Sequence, residues 1–204
     1  MTSNPLPPIW TAYKTIRYSL KMSQKSFKAA HLVALLNHLD FIDKRGAESY
    51  YTIKQSKTEL DDFTDLIDKP WAESYNAIKQ SQTELDDLFV VALWATFERF
   101  IRDYLQLKAE KLKSVSPDTL AIPLYEHFHN EVESCSPDEI LKMLKGTLSV
   151  DLLGYAIEIV KYRDWVVQGR NQPPAAQIEA KSTYDTLNEI INKLTHGSTN
   201  RHLR

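Results

Sequence analysis

Glycine is scarce in this chain, with 5 in 204 residues. That excludes a collagen-type repeat and a Gly-rich phosphate loop, and it leaves few tight hairpins. Cysteine is almost absent. The single Cys135 rules out an intramolecular disulfide and points to a reducing compartment. No apolar run approaches the ~20 residues of a membrane span. The opening MTSNPLPPIW has no basic region followed by an apolar stretch, so it does not read as a signal peptide. An excess of charge of one sign is missing too. The 27 acidic and 25 basic residues leave a net −2, so the global charge does not announce nucleic-acid binding. What is present is ordinary globular composition, 43% hydrophobic and 25% charged, long enough to bury a core as one domain over 1–204. The expectation is a soluble, cytoplasmic protein.

The charge is unevenly distributed. No acidic residue precedes Asp40, while Lys14, Arg17, Lys21, Lys25 and Lys28 do. None follows Glu189, where Lys193, Arg201 and Arg204 remain in a basic tail over 196–204. Residues 40–98 carry 13 acidic against 6 basic side chains, a net −7. Solvated helix faces explain such a pattern. A sharper alternative brings the two basic ends together as a surface for phosphates.

Residues 42–62 (IDKRGAESYYTIKQSKTELDD) and 67–87 (IDKPWAESYNAIKQSQTELDD) form a tandem duplication, with 16 of 21 positions identical at an offset of 25. Two copies are too few for a solenoid. An offset of 25 residues is close to seven helical turns, at about 3.6 residues per turn. A helical insertion of that length keeps the downstream apolar face in phase.

The apolar period is helical nearly throughout, and no segment alternates like a strand. The spacing predicts an all-α bundle of six to seven helices with a long antiparallel pair. Pro5, Pro7 and Pro8 suggest an extended leader over 1–8. Helices are expected over 9–20, and from Ser23 or Gln24 to about Gly46 or through the first repeat. Another is expected from an Asp68 cap with Pro70 in its first turn to about Leu112. Further helices are expected from Ser116-Pro117-Asp118 with a break at Pro123, from Ser136-Pro137-Asp138-Glu139 to near Gly146, over 149–169, and over 175–195.

The stretch Tyr162-Arg163-Asp164-Trp165-Val166-Val167-Gln168-Gly169-Arg170-Asn171 closes an otherwise apolar helix. Polar groups beside a buried surface need partners. An ordinary C-terminus, with Gly169 capping and cations offsetting the dipole, accounts for the stretch about as well as a site does. Other candidates are weaker. His127 and His129 are two apart and diverge on a helix, beside Glu126, Glu131 and Glu133, so a solvated face outweighs a metal. His31 and His38 share a face among leucines and read as packed. Glu98 reads as an ion-pair partner for Arg163 or Arg102, and the four tryptophans read as core or interface. No nucleotide loop or Ser/His/Asp pattern occurs, and no metal or cofactor is expected.

The stretch resembles the signature of HEPN domains, small all-α proteins many of which are metal-independent endoribonucleases acting as toxins or defence effectors. Their motif is Arg, four to six residues, then His, in close relatives much like YRxWVxHGR. Here it reads YRDWVVQGR, with Arg163, Gly169 and Arg170 matching and Gln168 in the histidine position. The segment ALWATFERF at 92–100 also resembles a core helix of the family, and the likeness covers roughly 24–195. The resemblance implies a homodimer in which two motif helices meet and line one cleft. Arg163 would hold the scissile phosphate with Arg170 and Asn171, supported by Asp164 and Glu98. The 2′-hydroxyl of RNA would attack without a metal. A histidine would shuttle the proton, but the amide of Gln168 does not titrate. Gln168 is either a natural loss or a one-base variant, and little RNase activity is expected. The other reading is a non-catalytic helical module whose acidic, duplicated segment binds a protein partner or antitoxin.

Overall fold

The computed structural model describes residues 3–45, 50–114, 117–171 and 177–196; the side chains of 35, 37–68 and 118 lie outside the description. The chain is an all-α helical bundle, with six α-helices and no strand among the described residues. They are α1 (Leu6–Arg45), α2 (Tyr50–Ala109), α3 (Asp118–Ser134), α4 (Pro137–Met143), α5 (Val150–Val167) and α6 (Ala180–His196). A 3-10 turn, Glu110–Ser114, follows α2. No described helix is long and apolar enough to cross a membrane. The chain divides into two compact units, Met1–Tyr13 with Asp86–Arg204, and Lys14–Leu85.

Four local expectations are corrected. The helices expected over 9–20 and from Ser23 are one continuous α1, which already begins at Leu6. The extended leader therefore does not reach residue 8. Prolines fit a first helical turn, whose N–H groups have no intrahelical acceptor. Asn4 anchors this start. Its side chain accepts the Leu6 N–H at 3.0 Å and donates to Asn188 of α6 at 2.7 Å. Neither Pro70 nor Pro123 breaks its helix. An interior proline costs about 3 kcal/mol, and packing offsets it at Pro70. The next residue, Trp71, stacks on His31 at 4.3 Å and on Tyr75 at 5.2 Å, with Phe27 at 6.2 Å.

Within the unit Lys14–Leu85 these contacts pair α1 with α2 in antiparallel order. His31 meets Trp71, and Lys28, one turn earlier, lies 4.8 Å over the Tyr75 ring. His31 is thus a packed histidine; the side chain of His38 lies outside the described residues. Of the first repeat copy, residues 42–45 lie in α1 and residues 50–62 in α2; the second copy lies wholly inside α2.

In the other unit the core forms around α2. Val90, Leu93, Trp94, Phe97, Phe100 and Ile101 recur at helical spacing and are all buried. They meet Leu153, Ala156, Ile159 and Val160 of α5 and Leu187, Ile190, Ile191 and Leu194 of α6 in one cluster. Trp10 at the start of α1 stacks between Tyr13 and Tyr184, with ring centroids at 4.9 and 4.8 Å. The start of α4 is as the sequence suggests: Ser136 and Glu139 make a reciprocal capping box. The Ser136 backbone donor in that box holds the Glu139 carboxyl below its usual range.

Arg102 ties α2 to the end of α3. Its guanidinium donates to the carbonyls of Val132, Glu133 and Cys135 and pairs with Glu98 at 2.6 Å. A helix C-terminus leaves its last carbonyls without partners, and a cation there also offsets the dipole. The neighbouring Cys135 is buried, and burial pushes its thiol pKa up, so it is an inert packing group. Replacing Arg102 by Leu strands Glu98 and the α3 carbonyls, and we expect urea denaturation to register a loss of about 2–4 kcal/mol. A loss below about 0.5 kcal/mol would match a surface ion pair and refute the bridging role.

Candidate functional site

The signature stretch occupies the last two turns of α5 and the residues after it. Gln168 is the C-cap and its backbone N–H bonds the Asp164 carbonyl at 2.9 Å. Gly169 (φ 85°) donates to the Val166 carbonyl at 3.3 Å, and the Arg170 N–H donates to that of Trp165 at 3.0 Å. Those two bonds are the Schellman motif, and the positive φ explains why glycine stands there. Arg170 is itself left-handed at φ 59°, which glycine adopts freely and arginine does not. The Asn171 side chain donates to the Gln168 carbonyl at 3.1 Å and tightens the turn. The structure thus supports the capping role for Gly169 whatever else the turn does.

The Arg170 side chain reaches across to α2. Asp87 of α2 is only 4% exposed, and its Oδ2 pairs with the Arg170 guanidinium at 2.5 Å. Its Oδ1 accepts the Tyr162 hydroxyl at 2.6 Å. Arg170 also lies 5.9 Å from the centroid of the Trp165 ring, which in turn sits 5.3 Å from Tyr162. One buried carboxylate therefore binds a side chain from the body of α5 and another from beyond its end. Burial, then the bond to Asp87, pushes the Tyr162 phenol pKa well above its usual value. Sequence reasoning missed Asp87 entirely. The signal was available only indirectly, as two polar groups at 162 and 170 beside an apolar helix that required an acceptor.

Arg163 is placed differently. Its Nη2 is 3.9 Å from Glu98 and its Nε 3.3 Å from Asp164, with 23% of the side chain exposed. The buried Nε makes no hydrogen bond. Glu98 is a hub: it accepts from Trp94 Nε1 at 2.9 Å and pairs with Arg102. The expected partners of Glu98, Arg163 and Arg102, are both there. The structure brings Arg163, Asp164 and Glu98 together, and it commits Arg170 to Asp87. The side chain of Gln168 is exposed.

The apolar helix of the sequence reading has one open face. Asp151, Gly154 and Lys161 are exposed on α5, Lys161 pairs with Glu158 at 2.8 Å, and α4 and α6 cover much of the rest. Val167, next to the C-cap, remains 64% exposed. Of the weaker candidates, His127 is exposed, and His129 is half-buried with its Nδ1 3.4 Å from the Tyr125 hydroxyl. Among the described residues, no group of three or more His, Cys, Asp or Glu is arranged to hold a metal ion. The basic tail 197–204 and most of the Asn171–Pro174 loop lie outside the described residues. No family model, curated protein or solved structure matches this chain.

The Asp87 hub predicts a pH dependence. The Tyr162 pKa is raised in the folded state, so folding holds the phenolic proton more tightly than the unfolded chain does. The associated stability is complete below about pH 10, the ordinary tyrosine range, and falls as pH rises through it. Tyr162→Phe should cost about 1–3 kcal/mol near neutrality by leaving Asp87 short of a donor. It should also flatten the alkaline fall of the urea midpoint. An equally steep fall in Tyr162→Phe would place the alkaline sensitivity elsewhere.

Proposed function

We propose that this chain is a HEPN-type homodimer of ribonuclease toxin or defence lineage, with an RNA phosphate site at Arg163 and weakened or absent cleavage. The observation that carries the reading is Arg163 itself. It sits in the last turns of α5, 23% exposed and flanked by Glu98 and Asp164, with its Nε buried 3.3 Å from Asp164 and its Nη2 only loosely held by Glu98. A guanidinium positioned from two sides, with a long 3.9 Å contact to one carboxylate, has donors that a phosphate can take over. Gln168 can add a hydrogen bond from the adjoining C-cap, but it cannot act as a general acid or base. Arg170 serves this site indirectly, as a latch on Asp87, and Asn171 closes the same turn. The chemistry needs no metal or cofactor: attack by the 2′-hydroxyl would leave a cyclic phosphate. The exposed Val167 beside half-buried Trp165 and Val166 supports a two-fold contact at this end of α5.

A second reading, a non-catalytic module for a protein partner or antitoxin, is favoured by one observation: both motif arginines already face carboxylates. Two variants separate the readings. Gln168→His should cut RNA in the presence of chelator at least about 10²-fold faster than the parent chain, the scale of general acid–base catalysis. Trp165→Glu should lower the sedimentation mass to that of one 23.5 kDa chain. A dimeric Gln168→His that stays inert would remove the catalytic lineage. A parent chain that sediments as a monomer at micromolar concentration would remove the composite cleft. Deleting 47–71, one repeat unit, should abolish partner binding only under the second reading.

A further inference from the structure

The first arm of the unit Lys14–Leu85 carries a feature that the signature does not use. Lys14, Arg17, Lys21, Lys25 and Lys28 recur along α1 at steps of three and four residues, and all are exposed. At 3.6 residues per turn they fall within an arc of about 80° and extend over about 21 Å. No acidic residue precedes Asp40, so this stretch of α1 contains no carboxylate of its own beside the four lysines. The four lysines make no ion pair with any described residue; Lys28 lies over Tyr75. Tyr18, 65% exposed, and Met22 flank the row.

We infer that this stripe is a binding track for the phosphate backbone of a single RNA strand. A row of cations on one convex helix matches a single chain of phosphates. Its steps, about 4.5 and 6 Å along the axis, are of the order of the interval between phosphates in an extended strand. A duplex would call for cations on both sides of a groove, and the deep major groove of RNA excludes an inserted helix. Tyr18 supplies an open aromatic face beside the row, the second element of sequence-tolerant single-strand binding. A membrane surface is the poorer match. An interfacial helix needs a continuous apolar face. Here Thr15, Ser19 and Ser23 are exposed on the next face, and after Met22 the exposed large apolar residues resume only at Leu32. In naming RNA the inference rests on the function proposed above; in naming a phosphodiester backbone it rests on α1 alone.

Fluorescence anisotropy of a labelled oligo-uridine strand against the full chain, over salt from about 50 to 200 mM, reads the track directly. Each single-strand phosphate contact contributes about −0.7 to the slope of log affinity against log salt. Four lysines give about −3, and Lys14→Gln/Lys21→Gln/Lys25→Gln should bring that to about −1 with at least a tenfold loss of affinity. The matching Lys→Arg triple should bind like the parent, and circular dichroism of both should be unchanged because the side chains are exposed. A Gln triple with parental affinity and slope would overturn the inference. So would tight binding to vesicles of phosphatidylcholine and phosphatidylserine that RNA does not displace. Arg163→Ala distinguishes the two claims. If it abolishes RNA binding while the Gln triple does not, the track is refuted and the Arg163 site stands. If the Gln triple loses binding while Gln168→His remains inert, the track stands and the ribonuclease reading falls.

Discussion

The end of α5 depends on one buried carboxylate. Asp87 accepts the Tyr162 hydroxyl and the Arg170 guanidinium, so a single acid on α2 fixes both the body of α5 and the turn beyond it. A buried charge is costly unless paired and hydrogen-bonded, and each donor removed leaves the carboxylate worse solvated. The left-handed Arg170 thus carries a side chain that reaches this carboxylate, beyond a Schellman turn set locally by Gly169. Arg170 is committed to Asp87, while Arg163, held more loosely by Glu98 and Asp164, is the part-buried cation of the stretch.

Much of the fold is written locally. The capping box at Ser136 and Glu139 marks α4, Gly169 marks the end of α5, and the apolar period of α6 places its buried residues on one face. Local signals mislead where tertiary packing outweighs them. Pro70 resembles a helix start, yet α2 runs through it because Trp71 is packed against His31. Asp87 is legible for neither reason. The same Thr-Glu-Leu-Asp precedes it as precedes Asp62 in the first copy, and its role rests on a hydroxyl from a residue 75 positions away.

The charge pattern also acquires a physical sense. Each described acid near the signature has a cation to neutralise: Asp87 with Arg170, Glu98 with Arg102 and Arg163. Lys14, Lys21, Lys25 and Lys28 of α1 have no such counterparts among the described residues. A chain with a net charge of only −2 can therefore still present a concentrated positive field on one helix, where long-range attraction of a polyanion is an ionic-strength-dependent effect. Under the proposed function, positioning and electrostatics are kept while the titrating group is lost at Gln168.

The central claim is that Asp87 and Arg170 act as one latched pair that orders the end of α5. A double-mutant cycle with Asp87→Asn and Arg170→Gln, read by urea denaturation at neutral pH, measures it directly. The account predicts a coupling of about 2–4 kcal/mol, with Asp87→Asn the costlier single change because it also weakens the acceptor of the Tyr162 hydroxyl. A coupling within about 0.5 kcal/mol of zero would mean that the two residues contribute independently, and the latch would be contradicted.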